Sequence, residues 1–441
     1  MNRFRIFSPS GRVAFVPERG AGDKYPGSKG AGASCPGAGC SGLKGAGARL
    51  AGLFLSSVLG FAAILTVDGC SGGRETVRIR AVSDVLRSEV IAIADSVCSL
   101  EPVTVTASFC PRSEGGPHDF YSEGDYWWPD PENPDGPYIR RDGESNPDNF
   151  SDHRIAMENL NDMVGKLCSA WIMTGDGRYA EAAEKHLRAW FIDPATRMNP
   201  SLNYAQAIKG RASGRGIGII DTIHLTEVAR SVMRFDEKGA LSEECARGCR
   251  EWFRQYLDWL QTHPYGQAEK AARNNHGTWW FAQVAVFAAL TGDEAVIGEC
   301  RTAYKERFLP SQMAEDGSFP EELARTKPFN YSCFQLEAMV LMCQVLSSAE
   351  DNLWEFCLED GRCIRKALDF MQPYLADKDS WPYAHDVQHW DEWPLALTSY
   401  ALAWTHWGDK KYFDVWAPLG HFPEEKEMRR VLALKNPLIW L

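Results

Sequence analysis

Three short segments place hydrogen-bonding side chains where an otherwise apolar helical pattern breaks. The first, Arg273-Asn274-Asn275-His276-Gly277-Thr278-Trp279-Trp280, sets two amides and an imidazole directly before a very apolar helix. The second, Glu321 through Ser332, puts Arg325 and Lys327 in a Pro-broken loop and Tyr331 at the start of the next helix. The third runs from Leu202 to Gly218. Its glycines suggest close backbone approach, and its Asn203, Tyr204, Gln206 and Arg215 are types that read hydroxyls and a carboxylate. Each segment also has a plainer reading: a helix cap with a core histidine, a solvated basic turn with a core tyrosine, a loop that satisfies itself. Three donors together, followed by a tryptophan pair, weigh against the plain reading of the first.

Nearly every element that must hold these groups reads as helix. One helix is expected from Arg74 to about Leu100, with Val82, Leu86, Val90 and Ile93 on one face. Leu160, Met163, Val164, Leu167, Cys168, Trp171 and Ile172 form a second core-facing stripe. Helical patterns recur near 179–191, 215–235, 241–261, 276–291, 294–309, 331–348, 353–375 and 394–407, and strand-like alternation is almost absent. Between them, Tyr126-Trp127-Trp128-Pro129-Asp130-Pro131 and the prolines that follow exclude a regular helix or central strand and predict an ordered, aromatic-anchored loop. The phrases Thr174-Gly175-Asp176, Thr291-Gly292-Asp293 and Trp407-Gly408-Asp409 recur at nearly even spacing. A glycine that can end one helix left-handed, followed by an aspartate that can cap the next, makes a compact hinge. The repeat predicts an all-α toroid of about six to seven helical hairpins, closed or incomplete, with an inner ring of all-round apolar helices such as Thr278–Leu290. A helical solenoid is the alternative.

The chain has 441 residues, of which 44% are hydrophobic, enough for one large core. A net charge of −12 argues against a nucleic-acid partner. It also means that a site for an acidic ligand must gather cations locally. Sixteen tryptophans permit a carbohydrate partner without proving one. Residues 20–49 are rich in Gly, Ala and Ser, and Leu50 to Val67 is an apolar run ending before Gly69-Cys70-Ser71. That layout predicts an export segment over 1–73 with a lipoprotein-type processing site, hence an exported protein at the periplasm or cell surface with possible membrane attachment through a lipidated Cys70. An uncleaved anchor is the competing reading. The remaining chain, 74–441, reads as one domain. Ten cysteines beyond residue 73 show no metal-binding spacing, so neither a metal nor a cofactor is expected.

Asn-Asn-His-Gly opening an apolar helix, then Arg325 and Asn330-Tyr331 at a later helix start, resembles the alginate lyase superfamily, polysaccharide lyase family 5. The Tyr126-Trp127-Trp128-Pro129-Asp130-Pro131 loop and the Asn203-Tyr204-Ala205-Gln206 segment resemble family 38 more closely, and the likeness spans roughly 120–410. The resemblance implies a helical toroid that cleaves a uronic-acid polymer by β-elimination, alginate above all, glucuronan or another uronan otherwise. It implies that Asn275 and His276 neutralise the sugar carboxylate, that Arg325 supports them, and that Tyr331 is the catalytic tyrosine. The interval from Arg325 to Tyr331 departs from the family 5 pattern. Tyr331 would work as phenolate and then phenol, its pKa lowered by Arg325, Lys327 or His276. For substrates whose H5 and O4 are anti, His276 would be base and Tyr331 acid. Asn203, Tyr204, Gln206, Arg215, Asn274, Lys327, Trp128, Trp279, His385 and Trp390 are candidate substrate contacts. An inverting glycoside hydrolase, needing a carboxylate pair drawn from Glu321, Glu322, Asp386, Asp391 and Glu392, and a non-catalytic lipid-anchored glycan binder are the alternatives.

Overall fold

The computed structural model describes residues 59–441, with side chains from residue 73 onward. The Gly-rich extension, the start of the apolar run and the side chain of Cys70 therefore lie outside what is described. The helix expected from Arg74 is the C-terminal part of a longer one, α1 (Leu59–Val97), whose Val82, Leu86, Val90 and Ile93 are buried as their spacing predicts. Among the described residues no helix is long and apolar enough to cross a membrane.

The chain then forms α2 (Asp152–Thr174), α3 (Gly177–Phe191), α4 (Leu225–Asp236), α5 (Glu243–Thr262), α6 (Pro264–Lys270), α7 (Asn275–Thr291) and α8 (Glu294–Ala303). It continues through α9 (Leu309–Gln312), α10 (Pro320–Leu323), α11 (Pro328–Leu346), α12 (Ile364–Ala376), α13 (Thr398–Trp407), α14 (Lys410–Trp416), α15 (Lys426–Val431) and α16 (Pro437–Trp440). Helices α2, α4, α7, α11 and α13 pack side by side as an inner ring. Helices α3, α5, α8, α12 and α14 back them, giving five hairpins among the described residues. α1 and α16 lie against each other, α2 and α13, completing the ring where a sixth pair would stand.

Burial follows from that placement. α7 and α11 are covered on both sides, so a helix such as α7, from Gly277 to Ala288, is buried on every face. α3 and α5 are amphipathic because only one side meets the inner ring. The Gly-Asp hinges behave as their chemistry requires. Gly175, Gly292 and Gly408 end inner helices with φ of 72°, 74° and 72°. Asp176, Asp293 and Asp409 then accept the backbone N–H of Arg178, Val296 and Lys411 to start the outer ones.

Two patterns read as helix differ. Residues 353–363 form a loop, with Leu353 and Trp354 buried as anchors and Gly361 turning at φ 82°. The stretch before α4 is a 3₁₀ turn, Gly216–Thr222. Gly218 there lies so close to Ala205 that a Cβ would come within 2.5 Å of its side chain. Four short strands, β1 (Tyr121–Glu123), β2 (Trp127–Trp128), β3 (Ile139–Arg140) and β4 (Tyr204–Ala207), pair as β1 with β4 and β2 with β3, fastening the proline-rich loop over one end of the ring.

Candidate active site

At that end the loops and helix starts enclose a cleft of about 240 Å³. Asn275, His276, Arg325 and Tyr331 all line it, together with Asn274, Gln206, Arg215 and Lys327.

His276 is delivered by the α6–α7 corner. Asn274 caps α7 by accepting the His276 N–H. Gly277 passes so close to Ala272 that a Cβ would lie 2.1 Å from its carbonyl oxygen, so this tight turn tolerates only glycine. The turn brings His276 Nδ1 to 2.5 Å from Oε1 of Glu269, a carboxylate on α6 with 8% side-chain exposure. A carboxylate accepts, so the neutral imidazole carries its proton on Nδ1 and keeps its lone pair on Nε2. Asn275 is held by Glu322, which accepts its backbone N–H at 2.8 Å and its side-chain N–H at 2.6 Å. One amide proton of Asn275 remains for a ligand. Burial pushes Glu322 up, against those bonds and the charges of Arg325 and His276.

Tyr331 lies in the first turn of α11, whose start is pinned by Asp386 accepting the Phe329 and Asn330 N–H groups. Its Oη meets Nη2 of Arg325 at 2.9 Å and Oη of Tyr126 at 3.0 Å, and the Arg325 guanidinium lies 4.1 Å from its ring centre. Burial holds the Tyr126 phenol well above its usual range, so it stays protonated. Burial also raises Tyr331, outweighing the lowering by Arg325, the Tyr126 bond and Arg430. The expectation of a lowered tyrosine is thus corrected: desolvation exceeds the cationic help. Lys327, expected to supply some of that help, is spent on Glu427 at 3.2 Å and is almost fully buried.

Six cations line the cleft, Arg140, Arg154, Arg215, Arg325, Lys327 and Arg430, against the carboxylates Asp125, Asp221 and Glu427. On a chain of net −12 this is a local reversal of charge. The carboxylates are tied up: Asp125 by Arg154 at 2.7 Å and Arg430 at 3.3 Å, Glu427 by Arg430 at 2.6 Å. Gln206 holds a positive φ of 51°, rare for a side chain of its kind. Its amide donates to Asp221 at 3.0 Å, and its carbonyl oxygens accept from Arg215.

Several expected contacts are not in the cleft. Trp279 is fully buried, its indole N–H donating to the Phe334 carbonyl, because the inner-ring helix has neighbours on every side. Trp128 turns its N–H to the Glu144 carbonyl, while its neighbour Trp127 lines the cleft, since successive strand residues face opposite sides. His385 and Trp390 stack on each other at 4.1 Å in the loop before α13, away from the lining. Asn203 accepts from Trp259 at 3.2 Å, and Tyr204 packs beside Gly115. Residues given no role in advance are Glu269, Tyr126, Asn330 and Arg430, while Glu322, weighed only as a hydrolase carboxylate, instead holds Asn275. Glu269 is one helical corner from His276 and Tyr126 belongs to the aromatic loop, so both were within reach of the sequence. Arg430 lies outside all three polar segments and carried no signal.

The family model described as alginate lyase matches residues 104–381. The crystal structure of an alginate lyase from Bacteroides ovatus superposes with a TM-score of 0.69 at 30% identity, over 81% of this chain and 97% of that one. Alginate lyase A1-III from Sphingomonas species A1 superposes at 0.46 with 15% identity, over 78% and 94%. No curated protein sequence matches the chain.

Proposed function

The chain belongs to the alginate lyase family and is a polysaccharide lyase, and on that premise we propose that it depolymerises alginate by β-elimination in the cleft of Tyr331 and His276. The observation that carries the proposal is one cation-rich cavity holding an imidazole with a free Nε2, an amide with a free N–H and a doubly supported phenol.

Elimination removes the C5 proton of a uronate and expels O4. Charge from C5 spreads into a carboxylate that is already anionic, so donors must offset a developing dianion. Asn275 Nδ2 and the uncommitted donors of Arg325 have that task. Preorganised donors of this kind are worth about 3–4 kcal/mol each where charge develops. His276 Nε2 takes the C5 proton of guluronate, where H5 and O4 are anti, and Tyr331 gives its proton to O4. In mannuronate the two groups are syn, and Tyr331, once its own proton has passed to solvent, serves in turn as base and acid. Its Oη has one proton and two lone pairs. With Arg325 and Tyr126 both donating to it, the proton is left for the substrate, and the phenolate, once formed, keeps two donors. Glu269 acts through His276 as a positioning residue, fixing its tautomer.

An inverting hydrolase is less well supported. Asp386 caps α11, Glu322 holds Asn275, and Asp391 and Glu392 are exposed in the loop before α13. No free carboxylate pair faces the cleft among the described residues. Incubation with polymannuronate, polyguluronate and glucuronan tests the proposal. Ultraviolet absorbance from a C4=C5 bond conjugated to the carboxylate is expected on an alginate block. New reducing ends without that absorbance would make it a hydrolase; binding without either would make it a glycan-binding protein. Export and lipid attachment at Cys70 belong to the same proposal, and mass spectrometry of the mature N-terminus checks them.

A further inference from the structure

Beside the cleft the strand pair β2–β3 and the loop after β4 meet along a shared rim. Tyr138 donates its N–H to the Lys209 carbonyl at 3.2 Å, and Arg211 Nε donates to the Tyr138 carbonyl at 2.7 Å. Gly210, at φ 72°, allows the loop to press on Pro137, whose Cα would lie 3.0 Å from a Cβ there. Cations on this rim rest on aromatic rings. Lys209 Nζ is 5.6 Å from the Tyr138 ring centre, and Arg211 and Arg215 are 5.4 and 5.8 Å from that of Trp127.

Among the described residues, Lys209, Arg211 and Arg215 have no carboxylate within ion-pair distance, unlike Arg140, which pairs with Asp142. Arg211 is exposed and Lys209 half-buried. A protein with 59 acidic residues has thus left these cations without a carboxylate partner on a face continuous, through Trp127 and Arg215, with the cleft. Flat rings held beneath fixed charges suit sugars that each carry one carboxylate. Asp130, Glu132 and Asp135 make the middle of the β2–β3 loop acidic, which limits the path to the end of that loop at Tyr138, where Lys209 and Arg211 of the neighbouring loop stand.

We propose that Lys209, Arg211 and the Trp127–Tyr138 rings form an accessory platform that binds uronate units of the polymer lying beyond the cleft. This rests on the acidic-polysaccharide reading of the cleft. The platform adds affinity for long chains and leaves the chemical step alone, so it favours polymer over short oligosaccharide.

The test is the double variant Lys209→Ala/Arg211→Ala. On long alginate its KM should rise about tenfold with kcat within twofold of wild type, and added salt should weaken wild type more than the variant. On a tetrasaccharide both should perform alike. The charge-keeping Lys209→Arg/Arg211→Lys variant should restore polymer KM. An unchanged polymer KM, or equal losses on polymer and tetrasaccharide, overturns the proposal. Affinity electrophoresis in gels containing alginate needs no turnover and so separates this from failure of the lyase reading. Retardation lost in the double variant supports the platform even if no cleavage occurs; equal retardation of both proteins refutes it.

Discussion

Replacing Glu269 with glutamine probes the least expected feature of the site. The carboxylate and His276 Nδ1 are 2.5 Å apart and both largely shielded, so the bond is charge-assisted and poorly screened. Bonds to charged groups contribute about 1.5–3 kcal/mol, and each ~1.4 kcal/mol is tenfold in rate. A glutamine that turns its NH₂ to Nδ1 would also favour the tautomer protonated at Nε2, removing the lone pair that takes the C5 proton. The expected result is a fall in kcat of about 10- to 100-fold on polyguluronate, with a smaller change in KM. The loss on polymannuronate should be milder, because Tyr331 can serve there as both base and acid. Initial rates from ultraviolet absorbance on purified blocks measure both, with thermal unfolding as a control on folding. A guluronate kcat within twofold of wild type, or a change confined to KM, would refute the role given to the Glu269–His276 pair.

Tyr331→Phe should abolish turnover while leaving alginate binding largely intact, measured by rates alongside calorimetry; residual turnover near wild type would remove the phenol from the mechanism. Trp279→Phe should lower stability by about 1–3 kcal/mol through the lost Phe334 bond and a smaller ring, with KM unmoved in denaturation and kinetic assays. A raised KM at full stability would mean that the tryptophan meets substrate after all. Glu337, buried on α11 and bonded to the Ser399 N–H, is pushed up to about 7 by burial from its ordinary 4.5. Between those values the native state holds a proton that the unfolded chain has released, so stability falls as pH rises through the window, by up to about 3 kcal/mol from this group. Glu337→Gln should flatten that fall in unfolding experiments run from pH 4.5 to 7; an unaltered slope would count against it.

Much of the ring was legible because its signals are local. Gly175, Gly292 and Gly408 can turn left-handed at a φ that other residues rarely adopt, and the aspartates after them reach only two or three residues to find their N–H partners. The apolar run from Thr278 to Leu290 announced an inner helix, and the same run explains the error over Trp279: a helix apolar on every face is covered on every face, so its tryptophans belong to the core. Asn275, His276, Arg325 and Tyr331 were visible because polar groups at a helix start interrupt an apolar pattern. His385 and Trp390 carried the same kind of signal yet stack on one another, since residue type says nothing about which loop turns toward the cavity.

Helix periods, capping turns and the family to which the chain belongs were therefore contained in the sequence, because φ/ψ preferences and amphipathic faces act over a turn or two. Only the closed ring decided that Arg430 from α15 would meet Asp125 beside Tyr126, that Lys327 would be spent on Glu427, and that desolvation would raise the Tyr331 pKa. Those outcomes depend on which surfaces come together and exclude water, and pairings across some three hundred residues follow from packing of the whole ring rather than from any short stretch of it.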